Sequence, residues 1–550
     1  MAARTAKQRN SAFKELGLRK SIAALVEEVQ ALYLEDEIPW VVGYSGGKDS
    51  SATLQLVWLA LQQMEADKRT KPVHVISTDT LVENPVVASW VGKSLETMGA
   101  AASAAGLPLQ AHRLIPAISD RFWVNLLGRG YPAPRHKFRW CTERLKINPS
   151  NKFISDVVKK SGEAILVLGT RKAESSRRAH TMNKLEKQRM RARLSPNASL
   201  PNSLVYSPIE DWTNDDVWLF LMQFKNPWGI NNKDLLTMYQ GASADGECPL
   251  VIDTTTPSCG DSRFGCWVCT MVDQDRSMKA MIQNDEEKQW MTPLLQLRDK
   301  LGIWRDKQQR DFRRITGKVQ LFHDQPIHGP YKQEVRAELL REVLRAEVWI
   351  QENGPEYVHD IELISMDELA EIRRIWMIDK HEIEDLLPGI YEEVYGQPYP
   401  DAWDDNRVFG TEEMELLRDV CGDNRFQFEL ARELLDVEWQ YRNMLRRNGL
   451  YEELEGAFKR NFFVSRDDAI EHARKRRDAM KVDIEPKIPE IHVNESREQS
   501  TNQNGVRKGQ DNEPPMGETQ SRKTRKTQSR KTTGSSAQSV QLLLLTEERA

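Results

Sequence analysis

The chain has 550 residues, too many for one hydrophobic core, and 39% of them are hydrophobic, so we expect two or three folded domains. Charged residues make up 29%, yet the net charge is only −4, so the overall balance neither indicates nor excludes a polyanionic partner. The sequence has no apolar run of membrane-spanning length, and its N-terminal stretch lacks the apolar core of a signal peptide. We therefore expect a cytoplasmic protein with no membrane partner.

Residues 1–38 are predicted to be helical and partly basic. A short apolar run at 40–44 then precedes the hexapeptide S-G-G-K-D-S, and an amphipathic run follows at 52–61. This order predicts a strand, a tight turn and the start of a helix. Two glycines allow a positive φ, and a helix N-terminus offers free N–H groups and a positive dipole end. The hexapeptide, here called the phosphate loop, consists of Ser45, Gly46, Gly47, Lys48, Asp49 and Ser50.

Hydroxyl donors and the Lys48 ammonium complete a predicted binding site for phosphate. The spacing differs from the G-x-x-x-x-G-K-[ST] pattern of a Walker A loop. The alternative interpretation is an ordinary strand-to-helix turn that is rich in small residues.

Short apolar runs at 73–77 and 164–169 predict two further buried strands, and helical periodicity separates them. Residues 39–245 are therefore predicted to form an α/β domain with a parallel sheet. Ligands of such sheets bind at the carboxyl ends of the strands. Ser45, Asp79 and Thr170 all follow predicted strands and are expected to meet there.

Cys141 lies in the basic segment R-W-C-T-E-R-L-K. Its neighbours Arg139, Arg144 and Lys146 are expected to lower the pKa of the thiol, because nearby cations favour the thiolate. Cys141 is accordingly a candidate sulfur carrier. The alternative is a small buried side chain, which is common for a single cysteine.

The segment that begins at Gly169 is strongly basic as far as Arg193. Arg171 follows a predicted strand and can bind phosphate oxygens through two parallel hydrogen bonds, and Arg178 lies further along a predicted helix. These features favour a polyanionic substrate, and a solvated basic surface is the alternative. Thr213 is predicted to cap a helix together with Asp216, a structural role without catalysis.

The chain has six cysteines, and four of them lie close together in the pattern C-x10-C-x6-C-x2-C. Four thiolates in one segment can hold Zn²⁺ or an iron–sulfur cluster. The uneven spacing favours a [4Fe–4S] cluster, since a zinc ribbon uses two C-x2-C pairs. Cys421, in a predicted helix, is interpreted as structural. The predicted metal ligands are Cys248, Cys259, Cys266 and Cys269.

The rest of the chain is predicted to be helical and then disordered. Tryptophan and leucine recur at helical spacing between 276 and 483, which indicates an all-helical region. Residues 484–550 are polar, basic and low in complexity, as disordered tails are. The predicted organisation is an N-terminal helical segment (1–38), a nucleotide domain (39–245), a cluster segment (246–275), a helical domain (276–483) and a tail (484–550).

Several of these motifs carry a family resemblance. The phosphate loop resembles the PP-loop of the ATP pyrophosphatases. C-T-E-R-L-K at 141–146, G-T-R-K-A-E-S-S-R-R at 169–178 and P-I-E-D-W at 208–212 are similar to segments of the PAPS reductase branch of that superfamily. With the cysteine segment and the helical extension, the order of motifs resembles DndC, the PAPS reductase-like family of bacterial DNA phosphorothioation.

The resemblance implies a doubly wound parallel sheet of the adenine nucleotide alpha hydrolase-like class, with a Cys-rich insert and a helical C-terminal extension. It implies an ATP pyrophosphatase and sulfurtransferase that uses Mg²⁺ and a [4Fe–4S] cluster and replaces a non-bridging oxygen of the DNA backbone by sulfur. The implied partners are a cysteine desulfurase as sulfur donor, other proteins of the phosphorothioation operon, and DNA, bound directly or delivered by a partner.

The resemblance also implies roles for particular residues. Ser45, Lys48, Asp49 and Cys141 are predicted to act in catalysis. The nucleotide or its Mg²⁺ is predicted to contact the phosphate loop together with Asp79, Gly169, Arg171 and Arg178.

Two other functions remain open at this point. A reductase of adenylylsulfate or its 3′-phosphate would use the same nucleotide site on a substrate that already carries sulfur. An ATP-binding regulatory subunit of a DNA-binding assembly would bind ATP without releasing pyrophosphate.

Overall fold

The structure is a computed structural model of the chain. It describes residues 11–136, 138–189, 191–197, 199–242, 264–303, 306–400 and 409–482. The predicted ligands Cys248 and Cys259, and the predicted disordered tail, lie outside the described residues. Within the described part of the chain, none of the helices combines the length and the apolar character that crossing a bilayer requires.

A mostly parallel sheet forms the centre of the N-terminal half. Its strands are β1 (Trp40–Gly43), β2 (Val73–Thr78), β3 (Leu109–Leu114), β4 (Ala164–Val167), β5 (Ser195–Pro196) and β6 (Ser203–Tyr206). The order across the sheet is β3-β2-β1-β4-β6-β5, and only the edge strand β5 is antiparallel to its neighbour. Every residue of β4 is buried, as expected for a strand with helices on both faces. The predicted α/β class is confirmed.

Helices surround this sheet. They are α1 (Leu18–Leu34), α2 (Lys48–Gln62), α3 (Pro85–Ala104), α4 (Asn148–Ser161), α5 (Ser176–Glu186), α6 (Asn214–Gln223) and α7 (Asn232–Gly241). The capping box predicted for α6 is present, because the Thr213 hydroxyl accepts from the Asp216 N–H at 3.2 Å and the Asp216 carboxylate accepts from the Thr213 N–H at 2.8 Å.

Among its described residues, the C-terminal half is mostly helical and contains one short hairpin. Its helices are α8 (Arg276–Asn284), α9 (Thr292–Leu301), α10 (Gln333–Asn353), α11 (Met366–Arg374), α12 (Leu386–Tyr395), α13 (Thr411–Cys421), α14 (Arg425–Tyr441), α15 (Leu450–Asn461) and α16 (Arg466–Val482). The hairpin pairs β7 (Leu321–Phe322) with β8 (Gln325–Pro326). The expectation of an all-helical region therefore missed this hairpin, whose two-residue strands are too short to give a periodic signal.

The two halves share one hydrophobic core, which extends from Phe13 to Tyr399. Two indole N–H groups cross between the halves: that of Trp123 donates to the Leu363 carbonyl at 2.8 Å, and that of Trp376 donates to the Leu127 carbonyl at 2.9 Å. Both rings are almost fully buried, so each needs such an acceptor. The helical half is thereby fixed against the sheet.

The strand order also locates the site. Strand β1 is central: the chain continues from it to β2 and β3 on one side, and then crosses to β4 on the other side of β1. In open parallel sheets a ligand crevice forms where the order reverses in this way, beyond the carboxyl ends of the strands. The phosphate loop follows β1 and Gly169 follows β4, so both are at this crevice.

Candidate functional site

The phosphate loop connects β1 to α2 in a shape that depends on glycine. Gly46 has a φ of +75°, and a Cβ at this position would lie 2.4 Å from a methyl carbon of Val91. The Trp90 indole donates to the Gly46 carbonyl at 3.1 Å, so α3 fixes the loop from outside. Helix α2 then begins at Lys48, and its first N–H groups carry the positive end of the helix dipole.

Two serines of the loop are bound to each other. The Ser45 and Ser50 hydroxyl oxygens are 3.1 Å apart, and the Ser45 N–H donates to the Ser50 hydroxyl at 3.2 Å. The Ser50 hydroxyl also donates to the Gly47 carbonyl at 3.0 Å. Both serines line a cleft at the carboxyl end of the sheet, together with Gly169 and Thr170. Their oxygens are therefore positioned before any ligand arrives.

Asp49 is buried between two cations. Its carboxylate lies 3.0 Å from the Lys48 ammonium and 2.7 Å from the Arg171 guanidinium. Burial alone would raise the pKa of Asp49, but the two cations outweigh it and hold that pKa below its usual range. Burial lowers the pKa of Lys48, yet Asp49 and Tyr239 more than compensate and raise it. Lys48 is therefore a charged ammonium, although neither Lys48 nor Asp49 is among the described residues that line the cleft.

The two arginines of the basic segment are both buried. Arg171, 3% exposed, binds Asp49 and also donates to the Trp212 carbonyl at 3.3 Å. Arg178, 1% exposed, pairs with Glu174. Neither guanidinium is among the described residues that line the cleft. Contact of Arg171 or Arg178 with a phosphate stays a prediction, and it would require each of them to leave its present partner.

The opposite wall of the cleft carries two ion pairs. The Asp79 carboxylate accepts from Arg113 Nε at 3.0 Å, and the Lys146 ammonium lies 3.1 Å from Glu83. All four residues line the cleft, so the structure brings Asp79 to the same space as the phosphate loop. An oxygen ligand such as Asp79 fits a Mg²⁺ that is held mainly by phosphate groups.

Backbone pairing attaches the cysteine segment to this wall. The Asn84 N–H donates to the Gly265 carbonyl at 3.0 Å, and the Trp267 N–H donates to the Val82 carbonyl at 3.0 Å. Cys266 lies between these bonds, and its thiol is 3.7 Å from the Glu83 carboxylate. One side chain, Glu83, therefore contacts both the Lys146 ammonium of the cleft and a cysteine of the predicted cluster.

Cys141 lies near the C-x2-C turn, and its thiol is not activated. Burial, and then the neighbouring Cys266 and Cys269 thiols, raise the pKa of Cys141 to about 12, because the opposing effects of the Thr142 hydrogen bond and of Lys146 are smaller. The expectation that the basic neighbours in sequence lower this pKa is therefore wrong. Arg144 instead binds Asp120 at 2.6 Å, and burial dominates at the thiol.

The cysteines fit a metal cluster in part. The Cys269 N–H donates to the Cys266 carbonyl at 3.0 Å, so the two thiols share one tight turn, as two ligands of one metal centre do. Within the described residues no group of three His, Cys, Asp or Glu side chains is arranged to hold a metal ion. Cys248 and Cys259 lie outside those residues, so the predicted set of four stays a prediction.

Tyr239 was not anticipated from the sequence. Its hydroxyl accepts from the Lys48 N–H at 3.4 Å, and its ring lies 5.6 Å from the Lys48 ammonium. The same ring packs edge-on against Phe264, with centroids 4.6 Å apart, two residues before Cys266. Tyr239 therefore joins the phosphate loop to the cysteine segment, and its position shortly before that segment was the only available signal.

Gly169 gives the first testable prediction. A Cβ at residue 169 would lie 2.7 Å from the Asp49 carbonyl oxygen and 2.9 Å from the Ser50 N, so Gly169→Ala must displace the first turn of α2. We expect a loss of about 1–3 kcal/mol in the free energy of unfolding, together with weaker ATP binding. Urea unfolding and calorimetric titration with ATP measure both effects.

The matched control is Gly99→Ala, in the interior of α3, where a Cβ meets nothing within 4 Å. Alanine there is expected to leave ATP binding unchanged and to raise stability by up to about 1 kcal/mol. Unchanged ATP affinity in Gly169→Ala would show that the close contact of β4 with α2 does not shape the phosphate site.

The sheet half of the chain is similar in sequence to known proteins. The family model of the phosphoadenosine phosphosulfate (PAPS) reductase domain matches residues 39–229. A curated relative, the Uncharacterized protein MJ0066 of Methanocaldococcus jannaschii, is 25% identical over 294 residues, which cover 51% of this chain and 48% of the relative. The chain thus spans about half the length of the curated relative it matches. Residues 39–229 are thus similar in sequence to the PAPS reductase domain.

Solved structures are similar only distantly. PAPS reductase from Candida auris is 14% identical, with 37% of this chain and 86% of that chain covered and a TM-score of 0.23. The U34-tRNA thiolase NcsA of Methanococcus maripaludis, with its [4Fe-4S] cluster, is 13% identical, with coverages of 54% and 86% and a TM-score of 0.25. These scores are too low to support an argument about the site.

Proposed function

We propose that this protein, through its PAPS reductase-like domain, is an ATP pyrophosphatase that couples adenylation to sulfur transfer. The observation that carries the proposal is that one stretch of chain around Glu83, here called the shared wall, borders both the nucleotide cleft and the cysteine segment. Glu83 binds Lys146 of the nucleotide cleft and also contacts Cys266, and the backbone on both sides of Glu83 is paired with the cysteine segment. A nucleotide site alone would not need cysteines there.

The proposed acceptor is a phosphodiester of DNA, in keeping with the resemblance to the DndC family. Oxide is too poor a leaving group to be displaced from phosphorus directly. A non-bridging phosphate oxygen therefore attacks the α-phosphorus of ATP, and pyrophosphate leaves. A sulfide-level nucleophile then attacks the activated phosphorus and expels AMP, which carries the oxygen away. The DNA phosphate ends with one non-bridging sulfur.

The residues of the phosphate loop serve the first of these steps. Lys48 and the N-terminus of α2 stabilise the negative charge that develops on the departing pyrophosphate. The Ser45 and Ser50 hydroxyls, which line the cleft, orient its oxygens. The proposed role of Asp49 is to hold the Lys48 side chain in place through the 3.0 Å ion pair. Asp79 would supply a carboxylate to a Mg²⁺ that bridges the phosphates.

A [4Fe–4S] cluster would be held by the four cysteines Cys248, Cys259, Cys266 and Cys269. Cys141 lies beside Cys266 and Cys269 and is a candidate to replace one of the four. When bound, such a cluster supplies electrons, which sulfur delivered as a persulfide requires in order to reach the sulfide level. The raised pKa of Cys141 argues against an unassisted thiolate nucleophile at that position. The proposed sulfur donor is a cysteine desulfurase, and the proposed setting is the cytoplasm together with other phosphorothioation proteins.

The test is mass spectrometry of nuclease-digested DNA from cells that express the chain with its operon partners. We expect phosphorothioate-linked dinucleotides with the unaltered protein, and a loss of at least about tenfold with Ser45→Ala. Ser103→Ala, on the exposed side of α3, is the control and should leave the dinucleotides unchanged. Absence of these dinucleotides with the unaltered protein would refute DNA as the acceptor.

The match to the PAPS reductase domain favours one second candidate, a sulfonucleotide reductase. It predicts that purified protein forms sulfite from adenylylsulfate or its 3′-phosphate when an electron donor is present. Sulfite formation without any sulfur in DNA would favour this reductase over the sulfurtransferase.

A further inference from the structure

A second cavity, of about 1040 Å³, lies in the helical half of the molecule. None of its lining residues lines the phosphate-loop cleft. Its wall comes from α10, α13, α14 and α15, from the segment after α11, and from Arg129 of the sheet half. Nothing in the proposed sulfur transfer uses this space.

Most charges on the wall are neutralised in pairs. Arg313 binds Glu429 at 2.6 Å, Arg432 binds Glu384 at 2.9 Å, and Arg460 donates to Glu433 at 2.9 Å. Such pairs explain how so many ionic groups can face a partly closed space, because each buried charge needs a counter-charge. A charged group on this wall without such a partner is therefore the place to look for a ligand.

Three cationic side chains on the wall have unused donors. Among the residues that the structure describes, the side chains of Arg129 and Lys380 have no hydrogen-bond or ion-pair partner, and Arg129 Nε is buried. Arg336 is 2% exposed; its Nε donates to the Tyr331 carbonyl at 3.2 Å and its Nη2 binds Glu382, while its Nη1 is buried without a partner.

The three cations line the same cavity, and two of them, Arg336 and Lys380, are close enough to affect one another. A Cβ on Gly130, next to Arg129, would lie 3.2 Å from Arg336 Cδ. Burial, and then Arg336, lower the pKa of Lys380 to about 8, although Glu382, Asp311 and Asp379 act in the opposite direction. The net effect on Lys380 is a lowered pKa, so the nearby carboxylates do not fully offset burial and the charge of Arg336.

We propose that this cavity binds a small phosphorylated organic molecule, with its phosphate held by Arg129, Arg336 and Lys380. Arginine donors form parallel hydrogen bonds to phosphate oxygens, and an ammonium adds a point charge. The volume is that of a site for a nucleotide-sized ligand. Ile375, Ile378, Met414 and Phe428 also line the cavity and offer an apolar surface to the organic part.

Lys380 itself provides a local readout. An amine whose pKa is near 8 reacts with an acylating reagent at mildly alkaline pH, and a bound phosphate blocks that reaction. Peptide mass spectrometry of the labelled full-length protein reports the extent of acylation at each lysine separately. Lys159, exposed on α4 and far outside the cavity lining, is the internal control.

The probes are AMP and inorganic phosphate, each added to the same protein. We expect AMP to slow acylation of Lys380 about tenfold at concentrations where phosphate alone protects less, with Lys159 unaffected. Equal protection by phosphate alone would overturn the organic part of the proposal. Unchanged acylation of Lys380 with both probes at saturating concentration would overturn the site.

A variant separates this cavity from the phosphate loop, which is itself proposed to bind nucleotides. Arg129→Gln should abolish the protection of Lys380 by AMP and leave intact the protection by ATP of Lys146, which lines the phosphate-loop cleft. Protection of Lys380 that persists in Arg129→Gln, confirmed as folded by its thermal unfolding, would refute the proposed phosphate site. Because the readouts are at different lysines, failure of this inference is distinguishable from failure of the proposed function.

Discussion

Asp49→Asn is expected to lower the free energy of unfolding by about 3–5 kcal/mol and to abolish ATP-dependent pyrophosphate release. Asparagine keeps the shape of the side chain but leaves the buried Arg171 guanidinium and the Lys48 ammonium without their shared carboxylate. Lys48 then loses the contact that holds it at the phosphate loop. Urea unfolding and a pyrophosphate-release assay measure the two effects.

Asp211→Asn is the matched control for this variant. Asp211 is mostly exposed and pairs with Lys172 at 3.0 Å, so its loss should cost less than about 1 kcal/mol. Equal destabilisation by the two variants would show that the buried position of Asp49 confers no particular stability.

The effect of Asp49→Asn should depend on pH with a definite sign. The pKa of Asp49 in the folded protein lies below its ordinary value of 3.8. The stability that the charged carboxylate contributes is therefore complete above about pH 4, and it is lost as the pH falls through the folded pKa. Unfolding measured from neutral to acidic pH should show the difference between the native protein and Asp49→Asn narrowing only below about pH 4.

Cys266→Ser is expected to abolish sulfur incorporation while ATP binding is retained. The thiol lies on the shared wall, 3.7 Å from Glu83, and serine is a poor substitute for a soft metal ligand. We expect phosphorothioate dinucleotides to fall by at least about 100-fold, because loss of one ligand removes the metal centre. Iron content, mass spectrometry of DNA and calorimetry with ATP separate the cluster from the nucleotide site.

Cys421→Ser is the control for that experiment. Cys421 ends α13 in the helical half and takes no part in the site. It should keep its iron, its ATP binding and its sulfur transfer. Normal sulfur content of DNA with Cys266→Ser would refute the role of this cysteine.

Local patterns predicted local structure well. The strands at 40–44, 73–77 and 164–169 and the capping box of α6 are present, because burial and hydrogen bonding over a few residues decide them. The same holds for the glycine turn at Gly46. The pattern that predicts each of these features lies within a few consecutive residues, although distant segments such as Trp90 and Val91 also contact the turn.

Contacts between distant segments could not be predicted in this way. Arg171 follows a strand and was expected to face phosphate, yet it binds Asp49, which is 122 positions earlier in the chain. Tyr239 reaches Lys48 across 191 positions. The neighbours of Cys141 in sequence include three basic residues, but its neighbours in space are an apolar core and two other thiols.

The two buried indoles determine how the chain can be divided. Trp123 in the sheet half donates to Leu363, and Trp376 in the helical half donates to Leu127, so the bonds run in opposite directions across one seam. A cut near residue 276 leaves each fragment with an indole donor that has lost its acceptor and with newly exposed apolar surface. We therefore expect either half, expressed alone, to be less stable than the chain that contains both.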